Sequence, residues 1–265
     1  MTQAFTLHRG TRPLLISMPH VGVYIPPELA ARLTIEARGV PDTDWHLEQL
    51  YGFAKAMGAS ILAATHSRYV VDLNRPPDNA NLYPGQDTTG LCPIDTFTKQ
   101  PLYAPGDEPS DAEIQQRVDT VWHPYHNALA SELARLKAEH GQVAQWEAHS
   151  IHSQLPRFFE GKLPDFNLGS ANGASCDQAL AEQLLAIASR AEGFTAVLNG
   201  RFKGGYITRQ YGQPANGVQA IQLELALSAY MEENPPFAYE PARASRVQPH
   251  LQALLEAMLA YVETR

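Results

Sequence analysis

The stretch Trp146-Glu147-Ala148-His149-Ser150-Ile151-His152-Ser153 follows Gln142-Val143-Ala144, a short apolar run behind Gly141. That run reads as the end of a buried strand opening into a loop. In open α/β sheets, ligands sit outside the carboxyl ends of the strands. A carboxylate and two imidazoles delivered to that edge are what a metal or acid/base site needs. Taken alone, His149 and His152 equally fit a polar loop whose rings bond the backbone. The other strand ends tip the balance towards chemistry.

Upstream, Leu14-Leu15-Ile16-Ser17-Met18 is a compact apolar run stopped by Pro19, which places His20 just past a first strand. Pro26-Pro27 starts a short helix carrying Leu29 and Leu33. Asp42 or Asp44 caps a stronger one, with Leu47, Leu50, Tyr51 and Ala54 on one apolar face. Ser60–Ala64 and Tyr69–Leu73 read as further strands, the latter ended by Asn74-Arg75-Pro76-Pro77. Residues 76–109, rich in Pro, Gly, Asp and Thr, form a long irregular excursion that suits a lid. Ser110-x-x-Glu113 is a capping box opening a helix that Pro124 should kink or divide.

Downstream, 158–174 is irregular, 176–190 helical and 195–198 a strand; Gly204-Gly205 marks a loop. In Ala220–Leu225, alternation sets Ile221, Leu223 and Leu225 on one face and Gln222 and Glu224 on the other. A last helix from about Ala242 buries Val247, Leu251, Leu254, Met258 and Val262. Strands alternating with helices predict one three-layer α/β/α domain over residues 1–265, around a central sheet.

Bulk properties narrow the function classes. The chain has 265 residues, 44% of them hydrophobic and 18% charged, enough for a full core. A net charge of −8 argues against general nucleic-acid affinity. Cys92 and Cys176 are too few for a disulfide scaffold, and neither sits in a paired metal motif. The polar segment Met1–Pro13 lacks a secretory signal, and no window is long enough to span a bilayer. A cytoplasmic protein is the expectation, with oligomeric state left open.

Four expected strand ends carry polar groups: His20, Asn74-Arg75, His149 and Glu224. A zinc hydrolase needs three N/O ligands, an open position and a carboxylate base. His20, Asp44 and His149 suit the ligands, and Glu224 suits the base. Each has a plainer use: His20 as a turn residue, Asp44 as a helix cap. Glu224, on an otherwise apolar strand, is costly unless paired or catalytic. Arg68 and Arg75 bracket the Tyr69–Leu73 run; Lys203, Tyr206 and Arg209 form a further polar cluster beside Gly204-Gly205. Arginines near a metal suggest an acidic substrate.

These motifs together resemble the N-formylglutamate amidohydrolase family. The resemblance rests on Pro19-His20-x-Gly22, Thr43-Asp44, Ser67–Arg75, Gly90–Pro93, Pro124-Tyr125-His126, Glu147–Ser150, Phe159–Asp165, Asn167-Leu168-Gly169, Gly204–Ile207 and Gln222-Leu223-Glu224. It implies a fold with a mixed sheet, like that of zinc exopeptidases and phosphorylase/hydrolase-type enzymes. It also implies hydrolysis of N-formyl-L-glutamate to L-glutamate and formate, the last step of a histidine degradation route. By that similarity His20, Asp44 and His149 would bind one divalent ion, most simply zinc, with Glu224 as the catalytic carboxylate. Arg68, Asn74 and Arg75 would hold the substrate carboxylates, with Lys203 or Arg209 for the second. Glu147 or His46 in place of Asp44 stays open as a ligand. So does a deacylase of another N-acyl acidic amino acid or small peptide, and a non-catalytic metal-dependent binder.

Overall fold

Strands β1 (Phe5–His8), β2 (Leu14–Met18), β3 (Ser60–Ala64), β4 (Val143–Ile151), β5 (Phe166–Gly169), β6 (Ala196–Leu198) and β7 (Val218–Ala226) form one sheet in a computed structural model of the chain. The structure describes residues 2–82 and 85–264, so Tyr83 and Pro84 of the 76–109 excursion, and Met1, lie outside the described residues. The strand order is β1-β3-β2-β4-β7-β5-β6. The central β3-β2-β4-β7 run is parallel. β1 pairs antiparallel with β3 and β5 antiparallel with β7, while β6 runs parallel to β5. The expected mixed sheet is therefore present.

Helices cover both faces. Ala144, Trp146, Ala148, Ile221, Leu223 and Leu225 pack against helices 178–189 and 241–263. On the other face Leu15, Leu62, Val143 and Val218 meet Tyr125, Leu129, Leu133 and Leu136 of helix 123–140. Because side chains alternate along a strand, burying Trp146 and Ala148 on one face sends Glu147 and His149 to the other. The same holds on β7 for Leu223 and Leu225 against Gln222 and Glu224.

Several elements differ from the sequence-based expectation. The strand at 143–151 continues through Ile151, so His149 lies within it, not in a loop beyond it. Tyr69–Leu73 is buried but is no strand. Its carboxylate Asp72 accepts from the Asn74 N–H at 2.9 Å, turning the chain locally where a ladder would have kept it straight. β1 and β5 go unannounced in the sequence: β1 is a half-exposed edge, and β5 is only four residues long. Residues 206–211 form a further helix directly after Gly205. Asp44 caps no helix; the helix at 47–50 begins instead at His46, whose φ of 61° ends any continuous turn from Asp44.

Ser110 caps its helix by accepting from the Glu113 N–H at 3.3 Å. The Glu113 side chain, however, is bound to Arg32 and Arg117, so the capping box is half formed. Pro124 has the predicted effect in a particular form. A π-helical turn at Val118–Trp122 precedes helix His123–His140 and absorbs the missing N–H. Among the described residues no helix is long and apolar enough to cross a membrane.

That helix start anchors the loop before the site. His126 stacks on Trp122 at 3.6 Å, and its Nε2 lies 2.9 Å from the Leu73 carbonyl and its Nδ1 2.9 Å from the Tyr211 hydroxyl. Burial lowers the His126 pKa from 6.5 to about 4. The unfolded chain therefore takes up this proton first, and the folded state is penalised as pH falls from about 6.5 to about 4. His126→Gln should flatten the pH dependence of the urea midpoint across that window relative to wild type. An unchanged slope would mean that the ring titrates as if solvated.

Candidate active site

Register brings the two key strands into line. His149 on β4 sits directly opposite Glu224 on β7, and Glu147 opposite Gln222. His20 arrives from the turn after β2, and its carbonyl accepts from the Asp44 N–H at 3.0 Å, which ties the 42–46 segment to the strand end. Gly22 permits this turn: a Cβ there would stand 2.3 Å from the His66 carbonyl oxygen.

His20, Asp44 and His149 are all buried, and each offers one ligand atom within 4.8 Å of the others. Asp44 Oδ2 lies 3.1 Å from His149 Nδ1 and 3.7 Å from His20 Nδ1. Ligand atoms about 2.0–2.2 Å from a tetrahedral ion stand roughly 3.3–3.6 Å apart, so the spacing fits one ion. The ring orientations fit as well. Nε2 of His20 lies 2.7 Å from Asp72 Oδ1, which can only accept, so the proton stays on Nε2 and the Nδ1 lone pair faces Asp44.

His149 Nε2 lies 3.1 Å from Asn74 Nδ2, with Glu147 Oε1 farther off at 3.6 Å. Glu147 thus stands behind His149, on the ring edge away from Asp44. It accepts from Ser17 Oγ at 3.0 Å and Gln145 Nε2 at 3.2 Å. Burial pushes its carboxyl well above the usual range, against those two bonds. His46 points elsewhere, with Nε2 2.7 Å from the Phe237 carbonyl.

The electrostatics separate the carboxylates. Burial opposes ionisation of Asp72, but the Arg68 guanidinium, 2.6 Å away, and His20 outweigh it and hold Asp72 well below the usual range. Burial and the Arg68 charge lower the His20 pKa to about 4, keeping the ring neutral. Glu224 is driven the other way, first by burial and then by the charge of Asp44. A cation held by Asp44 would offset the second cause. Asp72 was not singled out in the sequence, although a carboxylate inside Val-Val-Asp-Leu is a signal of a buried partner. Asp72→Asn should weaken metal binding about 10–100-fold, read by competition with a chromophoric chelator; unaltered affinity would remove Asp72 as the partner that orients His20.

A cleft opens on this group. Its wall includes His20, His149, Glu224, Arg68, Asn74 and Arg75. Asn74 is fixed by donation from the Ile207 N–H to its Oδ1 at 2.9 Å. Gly205 lets helix 206–211 come this close, since a Cβ would stand 2.3 Å from Asn74 Nδ2. Arg68 lies over the Phe97 ring at 4.6 Å, and its Nε has no hydrogen-bond partner among the described residues. The excursion contributes Asp87, Thr88 and Phe97 to the same wall.

Lys203 and Arg209 are not among the residues lining this cleft. Arg209 is exposed, its Nε donating to the Gly204 carbonyl at 2.8 Å; Lys203 is half-buried, and its own carbonyl accepts from Ala171. From that segment Arg201 and Phe202 line the wall instead, with Phe158 from the 158–174 loop.

The family model for N-formylglutamate amidohydrolase matches residues 12–231, which contain every one of these cleft residues. The chain belongs to the N-formylglutamate amidohydrolase family. It is 53% identical to an N-formylglutamate deformylase of Pseudomonas aeruginosa over 265 residues, covering 100% of this chain and 99% of the relative. It is 51% identical to one of Pseudomonas putida over 261 residues, covering 98% and 97%. A crystal structure of N-formylglutamate amidohydrolase from Ralstonia eutropha superposes with a TM-score of 0.84 at 26% identity, covering 99% of each chain. A gene product of Agrobacterium tumefaciens shares the fold, with a TM-score of 0.75 at 18% identity over 99% of this chain and 97% of that one.

Proposed function

We propose that this chain is a metal-dependent hydrolase that cleaves N-formyl-L-glutamate to L-glutamate and formate. The observation that carries the chemistry is Glu224, a buried carboxylate in register with His149 and on the wall of the same cleft. The substrate follows from the names of the two full-length relatives. His20, Asp44 and His149 would hold the ion, and two imidazoles with one carboxylate suit zinc. When bound, such an ion supplies Lewis acidity and lowers the pKa of water towards roughly 7.

Glu224 then carries the proton. It takes one from the water as the new C–O bond forms at the formyl carbon, and delivers it to the amide nitrogen as the C–N bond breaks. Asn74 and Arg75, with the unpartnered Nε of Arg68, hold substrate carboxylates and set the amide beside Glu224. Lys203 and Arg209 are not among the residues lining the cleft, so the proposed clamp is built without them.

The test is formate release from N-formyl-L-glutamate before and after chelation, with metal counted per chain. Release should vanish on chelation and return with zinc. Metal-loaded protein that releases nothing would discard the substrate, and acetyl- and succinyl-glutamate would then be assayed as the deacylase alternative. Undiminished release from metal-free protein would overturn the mechanism.

A further inference from the structure

Gln222 lines the cleft yet has no part in the reaction above. It is 4% exposed and, by the alternation of β7, faces the same side as Glu224 two residues on. Its amide is held in one orientation. The Gly205 N–H donates to Oε1 at 2.7 Å, which identifies that atom as the oxygen and leaves Nε2 as the other edge. Nε2 has no acceptor among the described residues. Buried amide donors normally have a partner, so this one is left to water or to a ligand in the cleft.

Its position says which ligand group. Gly205, which Gln222 holds, packs on Asn74, since a Cβ there would stand 2.3 Å from Asn74 Nδ2. Gln222 therefore belongs to the end of the cleft where Asn74 and Arg75 lie. The Asn74 amide already faces His149 Nε2 at 3.1 Å, and Arg75 bonds neutral oxygens among the described residues. A carboxylate that meets Arg75 has lone pairs left for a neutral donor. Two residues along a strand span roughly 7 Å, so a group bound by Gln222 lies close to the bond on which Glu224 would act. In an N-formyl amino acid the α-carboxylate is attached to the carbon that bears the scissile nitrogen. The distal carboxylate of glutamate is two methylenes farther away.

We propose that Gln222 is a substrate-binding residue whose Nε2 donates to the α-carboxylate beside Arg75, and so selects substrates that carry this group. This rests on the hydrolase reading above and deepens it.

The experiment compares N-formyl-L-glutamate with N-formyl-4-aminobutyrate in wild type, Gln222→Met and Gln222→Glu, with metal content and circular dichroism for each. The second compound keeps the formyl amide and the distal carboxylate and lacks only the α-carboxylate. It is read through its KM or, where turnover is slow, through its inhibition constant. Gln222→Met should raise KM for N-formyl-L-glutamate about 10–100-fold, the yield of a hydrogen bond to a charged group, with kcat within a few-fold of wild type. Its affinity for N-formyl-4-aminobutyrate should stay within a few-fold of wild type. Gln222→Glu keeps an acceptor for the Gly205 N–H and sets a like charge against the α-carboxylate, so it should show the same selective loss; where Gln222→Met does not fold, this variant alone decides. An equal loss for both compounds would mean that Gln222 only holds Gly205 in place, and would overturn the proposal. So would a loss confined to kcat, or an unchanged KM for N-formyl-L-glutamate. A metal-loaded wild type that releases no formate from N-formyl-L-glutamate would overturn the hydrolase reading itself.

Discussion

Glu224→Gln should lower kcat for N-formyl-L-glutamate by about 10²–10⁴-fold, the usual yield of a positioned acid/base group, with the fold and any bound ion retained. The substitution keeps the size of a side chain that is 8% exposed on a strand buried from end to end, so packing changes little. It would remove the proposed role of the carboxyl, accepting and returning a proton. The measurement is steady-state turnover beside metal content and circular dichroism. Turnover within a few-fold of wild type at full metal loading would exclude Glu224 as the base. A protein that only bound its ligand would show no such dependence, because binding needs no proton carrier.

Arg75→Ala is the second large effect. Among the described residues, the hydrogen bonds from its guanidinium run to neutral oxygens, Thr89 O at 2.9 Å, Thr89 Oγ1 at 3.3 Å and Asn74 O at 3.2 Å. The group is therefore oriented by backbone and hydroxyl while its charge remains available to a substrate. Removing one partner of such a charge pair costs about 2–5 kcal/mol, seen as a fall in kcat/KM. Any ion held by His20, Asp44 and His149 should stay bound, because Arg75 touches none of these three residues through these bonds. Near-normal kcat/KM at low substrate would end its role as a clamp, and loss of metal would mean that it supports the site structurally.

The two effects differ in origin. In the proposed reaction Glu224 acts on the bond being broken, so its loss should fall on kcat; Arg75 would hold a group that does not react, so much of its loss should fall on KM. Asp72 belongs to neither class. It holds His20 and Arg68 at once, through bonds of 2.7 and 2.6 Å, and so connects the candidate ligand group to a guanidinium on the cleft wall.

Local pattern alone determined the parts of the protein in which one strand or helix decides its own environment. The apolar runs at 14–18 and 60–64, the alternation that puts Glu224 opposite in facing to Leu223, and the stripe from Val247 to Val262 all follow from the period of burial. His20 and His149 were legible through expected strand ends, Asp44 through the opening of the following helix, and the family resemblance drew the three together. What the tertiary structure decided lies between elements. Tyr69–Leu73 has the apolar content of a strand, yet Asp72 turns it to reach His20 and Arg68, contacts that no local pattern encodes. β5 becomes a strand by pairing with β7 and β6, despite its four residues. In Arg201-Phe202-Lys203, composition favours neither basic residue. The Phe158 carbonyl, brought in by a loop over forty positions away, bonds Arg201 Nε beside the cleft wall. A strand's facing is set by its own period of two, whereas the company a side chain keeps is set by chain segments distant in sequence. The first is written locally, and the second exists only once the sheet has closed.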